Sequence, residues 1–334
     1  MSNSNVKFWL AIVASLMLLS VILFLSLSYG TINIPFSSVY QFFTFDHASL
    51  PAMTNVILSE IRIPRFLLAI LVGAGLAMVG ALLQTVTKND LADPFLFGLS
   101  AGASAGVVAV ISHFDLALGQ WSLPVAAFAG ATLSAASVIL VFFLQKSQGV
   151  ERLILSGLAV SFLFSAITGY LIYTGDQRSA SNILFWSMGG LGLAKWENLP
   201  FASVGVILLA LFTMLRWRSL DAMLVDEDTS NSLGVSVKFL RVTVFILSAL
   251  STAIFVSLSG VIGFVGLIVP HLAKPFSGPS HRYLLPLCAF IGAMLLSASD
   301  LMSRVLIPGQ ELPIGLMTSA IGSMFILFFV LRKK

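Results

Sequence analysis

The sequence predicts an all-α polytopic membrane protein of about ten transmembrane helices, and three observations predict it. Of the 334 residues, 58% are hydrophobic and only 10% charged, against about 25% charged in soluble domains. The mean hydropathy is +1.00. The charges are gathered at intervals, so they mark off long stretches free of Asp, Glu, Lys and Arg, most of them near or above the ~20 residues that cross a hydrocarbon core. A water-soluble enzyme has no means of hiding so much apolar surface, and a disordered or fibrous chain needs low hydrophobicity or a short repeat. Those classes are excluded.

Nine such runs follow one another: Phe8 to Phe45, Phe66 to Thr87, Pro94 to Phe114, Leu116 to Gln145, Leu153 to Gly175, Asn198 to Leu215, Val242 to Pro270, Tyr283 to Ser299 and Leu312 to Leu331. The first has an apolar core from Phe8 to Leu27, longer than the roughly 7 to 15 residues of a signal peptide, and reads as a retained span. The run from Val242 continues apolar to Ala273 and is interrupted by Ser257, Ser259, Gly260, Gly263 and Gly266. It divides into two short spans meeting near Ser257–Gly260, which brings the count to ten. Between Asp176 and Glu197 a short apolar piece, Ile183 to Leu193, carries Gly189, Gly190 and Gly192. It is too short to cross and reads as an outer-face re-entrant or interfacial helix.

Basic residues orient the spans, because Lys and Arg accumulate in cytoplasmic loops. With ten spans and both termini cytoplasmic, Arg62, Arg65, Arg178, Lys195 and Arg304 lie outside and the other thirteen of the 18 lie inside. The 14 acidic residues divide evenly, so the bias is in basic residues alone. It also accounts for the net charge of +4 without nucleic acid. No Pro- or Ser-rich linker divides the chain, so residues 1–334 read as one transmembrane domain whose one long hydrophilic interior stretch is the inner loop at about 216–241. The single cysteine, Cys288, forms no disulfide within the chain.

Two stretches match Gly-x-Ser-x-Gly, around Ser100 and Ser104. A nucleophile elbow needs a strand-to-helix turn. Here Gly98, Gly102 and Gly106 recur every four residues in an apolar helix, the small-xxx-small spacing by which membrane helices pack. The same spacing appears as Gly157, Ser161, Ser165 and Gly169, and again as Gly315, Ser319 and Ser323. It is compatible with packing inside one subunit, with a dimer interface or with a translocation path. No span carries a charge at its centre, which disfavours proton relays and ion-coupled carriers. His47, His113, His271 and His281 fall at predicted interfaces without metal-ligand spacing.

The sequence contains no Gly-x-x-x-x-Gly-Lys-Ser/Thr loop, so ATP-driven work would need another chain and a surface for it. The inner loop offers one. Asp226-Glu227-Asp228 precedes Thr229 to Val235, then Lys238 and Arg241, an order of charges that suits a helix dipole. Outside, Arg62 and Arg65 stand just before the second span and Arg304 in the last outer loop. They suit snorkelling to lipid headgroups or pairing with carboxylates of a partner.

Together these segments resemble the FecCD family, permeases of ABC importers for iron-siderophore complexes, haem and vitamin B12. The resemblance rests on Arg62-Ile63-Pro64-Arg65, on Gly73 to Gly80 and Gln84 to Pro94, on Gly98 to Ala103, and on Ser232-Leu233-Gly234-Val235. It continues in Gly263 to His271, His281-Arg282, Asp300, Arg304 and Glu311 to Gly315. Asp90, where the family usually has Pro, and Ile321 to Phe325 depart from the pattern.

The resemblance implies a type II ABC importer permease in the bacterial cytoplasmic (inner) membrane that is not itself an enzyme. It holds no cofactor, because ATP and Mg are bound by two partner ATPase subunits. A second permease subunit, identical or paralogous, and a periplasmic or surface-anchored binding protein complete the assembly. Arg62, Arg65 and Arg304 map to binding-protein docking, and Ser232, Leu233, Gly234, Val235 and Arg241 to ATPase coupling. The expected cargo is a ferric siderophore, with haem or vitamin B12 as the alternative; an ion-coupled secondary transporter is the rival from another class.

Overall fold

The computed structural model describes residues 3–44, 50–113, 119–145, 149–175, 180–225 and 227–332. His47, Lys146, Arg178, Asp226, Lys333 and Lys334 lie outside the described residues. Fourteen α-helices are described: α1 Asn3–Ser28, α2 Phe36–Phe43, α3 Ala52–Val56, α4 Ile63–Thr87, α5 Leu99–His113, α6 Ser122–Leu144, α7 Val150–Thr174, α8 Ala180–Ser187, α9 Leu199–Ala222, α10 Glu227–Ser232, α11 Val237–Ser259, α12 Val265–Ser277, α13 His281–Val305 and α14 Ile314–Arg332. Ten of these fall on the predicted spans, α12 being a half-length one, while α2, α3, α8 and α10 are short connecting helices.

α3 and α4 form one continuous 36-residue apolar helix joined by a π-helical turn at Ile57–Arg62. Pro64 is the physical reason, since it has no N–H to give to a preceding carbonyl and the turn widens to accommodate it. The freed Ser59 carbonyl accepts the indole N–H of Trp196 at 2.9 Å. Arg62 and Arg65 therefore lie inside a helix rather than at its threshold.

α4 is the axis of the molecule. Its most apolar window is 83% buried, against 28% for α7 and 22% for α9. Lipid tails are as apolar as Leu, so helices in a bilayer associate through close van der Waals packing and not by expelling water. The glycines show that closeness. A Cβ on Gly80 would fall 1.9 Å from the Gly266 carbonyl on α12, and one on Gly73 would fall 2.3 Å from that of Gly292 on α13. Gly75 and Gly205 receive the ring of Phe255 between α4 and α9.

The division near Ser257–Gly260 is met: α11 ends at Ser259 and α12 starts at Val265. Gly260 turns the chain at φ +64°, and Phe264 enters α12 at φ +68°, a left-handed conformation that costs a non-glycine residue about 1–2 kcal/mol. Gly322 of α14 receives the Phe264 ring, so an added Cβ there would fall 2.4 Å from it. Inside α12, Pro270 leaves the Gly266 carbonyl without its helical donor, and Gln84 Nε2 donates to it at 3.3 Å.

Two boundaries differ from expectation. α13 runs to Val305, so Asp300 and Arg304 are in its last turns and not in an outer loop. α9 runs to Ala222 and α11 begins at Val237, which narrows the inner connection to residues 223–236. In both places helical hydrogen bonding continues past the first charge, and Asp221, Arg241, Asp300 and Arg304 find partners in the fold. Asp221 shows how: it accepts from Ser280 Oγ, from the His281 backbone N–H and from His281 Nδ1 at 2.6–2.7 Å. His281 Nε2 lies 2.7 Å from Thr85 Oγ1, so one fully buried histidine staples α4, α9 and α13 together. The expectation of an interfacial His281 is corrected accordingly.

Candidate functional site

The three outer arginines converge. Arg65 donates from Nε to Asp300 at 2.7 Å and from Nη1 to both oxygens of Glu311 at 3.1 and 2.8 Å. Arg304 meets the same Asp300 at 3.0 Å and donates to the Ser26 and Tyr29 carbonyls and to Ser26 Oγ. Arg62 donates to the carbonyls of Leu27 and Ile32. Gly30 lies against both guanidiniums: a Cβ there would fall 3.2 Å from Arg304 and from Arg62.

The cluster thereby closes the outer ends of α1, α4 and α13. Expectation is corrected in one respect. The arginines do not snorkel: positions 62, 65 and 304 are 5, 6 and 5% exposed, and each is engaged within the chain. Burying a charge demands such partners, and the chain supplies them itself. Three cations against two carboxylates still leave one positive charge in excess.

At the inner end, α10 finishes in a Schellman turn. Val235 N–H reaches the Ser230 carbonyl at 3.1 Å and Gly234 N–H the Asn231 carbonyl at 2.9 Å, with Gly234 at φ +80°, the left-handed position such a cap requires. Ser232 Oγ turns back to the Asp228 carbonyl at 2.9 Å, Val235 is half-buried, and Leu233 projects outward with 66% of its surface exposed. Arg241 is different. It is 2% exposed, donates to the Val86 carbonyl at 3.2 Å and pairs with Glu227. It is an internal anchor behind the turn and not part of its exposed surface. Lys88 adds a bond to the Val225 carbonyl at 2.7 Å, so the loop hangs from the end of α4.

The small-residue faces divide. Gly157 and Ser161 pack against Phe97 and Gly98 respectively. Ser165 and Gly169 are exposed on α7. On α14, Gly315 sits against the Met188 carbonyl at an added-Cβ distance of 2.2 Å, Ser319 is half-buried and Ser323 exposed. Gly102 and Gly106 bring α5 onto Gly130 and Ala126 of α6, so the Gly-x-Ser-x-Gly matches are packing surfaces.

Two cavities flank the core. An outer one of about 870 Å³ is lined by Ile111, Gln120, Trp186, Gly190, Lys195 and Gly260. An inner one of about 500 Å³ is lined by Gln84, Thr85, Lys88, Leu224, Lys274 and His281. Asp93, in the connection between α4 and α5, is buried and takes one N–H, from Phe95 at 2.9 Å. Burial pushes its carboxyl up to about 6, against the lowering effect of that bond. Among the described residues no group of three His, Cys, Asp or Glu could hold a metal.

The sequence pattern alone assigns no role to Asp300 and Glu311 and does not single out Ser26 and Asp221. The Asp300–Arg304 spacing of four residues was a usable signal. Nothing in the sequence pointed to the Ser26 hydroxyl, 278 residues from its arginine.

Comparison with known proteins places this architecture. Residues 18–332 match the FecCD transport family. The hemin transport system permease protein HmuU of Yersinia pestis is 36% identical over 96% of this chain and 95% of its own. The iron(3+)-hydroxamate import system permease protein FhuG of Bacillus subtilis is 32% identical over the whole of both chains. The vitamin B12 import system permease protein BtuC of Salmonella paratyphi A is 32% identical over 85% of this chain and 86% of its own. A solved structure described as an inward-facing conformation of a metal-chelate type ABC transporter superposes with a TM-score of 0.83 at 30% identity, covering 96% of this chain and 98% of that one.

The type II importer permease fold is therefore present, in a multi-pass membrane subunit of a bacterial importer for iron chelates, haem or vitamin B12. Such a subunit is not catalytic and binds no cofactor; it works with an ATPase that binds the nucleotide and with a binding protein. On the family match, the identities and the fold together, this chain belongs to the FecCD transport family of ABC importer permeases.

Proposed function

We propose that the cargo is a ferric siderophore, carried between two permease subunits, identical or paralogous, by alternating access driven by two ATPase subunits. The observation that carries this reading is the exposed face of α7, which presents Ser165, Gly169, Tyr170 and Tyr173, with no Asp, Glu, Lys or Arg from Leu153 to Thr174. A naked ferric ion would need ligating oxygens or carboxylates at depth. A chelate brings its own ligands, and hydroxyl and phenol groups hydrogen-bond to its polar rim. The full-length likeness to a hydroxamate import permease supports the same choice. Haem is the second reading, favoured by the 36% identity to a hemin transport permease.

In this reading Leu233 and the Gly234 turn seat in the ATPase, and Arg241 carries the motion to α4. The outer cluster receives the binding protein through its excess positive charge. The test is uptake of labelled ferric hydroxamate into proteoliposomes holding the permease, its ATPase and its binding protein, with ATP inside or omitted. ATP-dependent uptake is expected. No uptake of the hydroxamate, together with ATPase stimulation by the haem-loaded binding protein, would replace the cargo and keep the architecture.

A further inference from the structure

Glu311 is the exposed member of an otherwise buried cluster. Its side chain is 39% exposed, against 7% for Arg65 and 1% for Asp300. Both its oxygens are on Arg65 Nη1. A buried pair is costly to open, whereas a half-exposed carboxylate exchanges readily with water or with another carboxylate. Arg65 therefore has one fixed partner, Asp300, and one replaceable partner.

The replaceable partner is placed where its release has consequences. Glu311 stands three residues ahead of α14, and Leu312 N–H donates to the Ser303 carbonyl at 2.9 Å. The next amides tie α14 to two other interrupted elements. Ile314 N–H donates to the Gly189 carbonyl and Gly315 N–H to that of Met188, both at 3.0 Å, while Gly190 N–H donates to the Ser259 carbonyl at 2.8 Å. The end of α8, the break between α11 and α12 and the start of α14 thus form one backbone junction. Gly190 and Gly260 of this junction line the outer cavity, and Gly192 passes 3.9 Å from Glu311 Oε2 at its added-Cβ position.

We propose that Glu311 is a latch: a carboxylate of the docking protein replaces it on Arg65, and the freed Glu311–Ile314 segment loosens the α8–α12–α14 junction beneath the outer cavity. The exchange keeps Arg65 doubly partnered, and a Glu or Asp side chain can reproduce the charge-assisted geometry that Glu311 provides. The excess positive charge of the cluster favours an acidic partner throughout. This inference rests on the docking reading above.

The test uses the permease–ATPase complex in nanodiscs with its binding protein. Glu311→Gln removes the competitor, so the binding protein should bind about tenfold tighter and ATP hydrolysis without it should rise several-fold; Glu311→Asp should restore wild-type behaviour. Arg65→Gln should weaken docking. If Arg65→Gln binds as wild type does, the docking reading falls. If it weakens binding while Glu311→Gln leaves affinity and basal hydrolysis unchanged, the latch alone falls. Hydrogen exchange on the unmutated complex tests it without any substitution. The Ile314 and Gly315 amides should lose protection when the binding protein docks, and unchanged protection would overturn the proposal.

Discussion

The outer and inner ends of this permease handle charge in opposite ways. Outside, three guanidiniums are buried and fastened to Asp300, Glu311 and carbonyls of α1 and the turn after it. Inside, the loop that meets the ATPase in the proposed reading shows an exposed apolar tip, Leu233, on a glycine turn, with one buried arginine behind it. The first arrangement fixes three helices and leaves one exchangeable contact. The second leaves a contact surface free and fixes its stem. A rigid cluster suits a partner recognised by charge, and an anchored lever suits a partner that pushes.

The outer arrangement depends most on Asp300. Asp300→Ala leaves Arg65 and Arg304 without their shared buried carboxylate, and losing one side of a buried pair costs about 3–5 kcal/mol. Unfolding in detergent should show that loss, and a loss below 1 kcal/mol would mean the cluster is solvated.

Asp93 gives a pH signature at the other end. Its carboxyl is raised from 3.8 to about 6 in the folded protein, so the folded state holds a proton that the unfolded state has released. The contribution of Asp93 to stability is therefore fully present below pH 4, falls as pH rises from about 4 to 6, and is lost above, a change of about 3 kcal/mol. Asp93→Asn should remove that slope and raise the melting midpoint at pH 7.5. A parallel pH profile for the two proteins would count against a buried acid.

Arg241→Ala should cost about 1–3 kcal/mol. It should also uncouple hydrolysis from uptake, because the loop loses its tie to Val86 on α4. Tight coupling in that variant would remove Arg241 from the transmission. Gly234→Val should have the smallest effect on stability, about 1–2 kcal/mol of left-handed strain, since nothing lies within 4 Å of an added Cβ. It should nevertheless reduce ATPase stimulation by the binding protein, and full stimulation would sharpen attention onto Leu233 instead.

Much of the fold was legible because membrane insertion is a local rule. Charge-free runs bounded by charged residues define spans wherever they fold, and Ser257–Gly260 marked the break because Gly260 takes the positive φ the turn needs. The inner turn was legible for a similar reason, since Gly234 is required by its cap within six residues. The outer cluster was legible only in part. Arg62, Arg65 and Arg304 drew notice as scarce outer cations, yet their burial could not be read, because Asp300 lies 235 residues from Arg65 along the chain. The division of the small-residue faces was equally hidden: Gly157 and Gly169 have the same spacing and composition, but one meets Phe97 and the other meets open space.

Hydropathy and local backbone preference were enough to read an all-helical membrane protein of about ten apolar helices and the break near Ser257–Gly260, since each depends on neighbouring residues; the ends of α9, α11 and α13 were not legible in that way. Which charges are internal staples, which stay half-exposed and which small residues touch was settled only in the folded chain. Those properties depend on distances between segments far apart in the chain, and in a low-dielectric interior a charge is defined by its nearest partner and not by its sequence position.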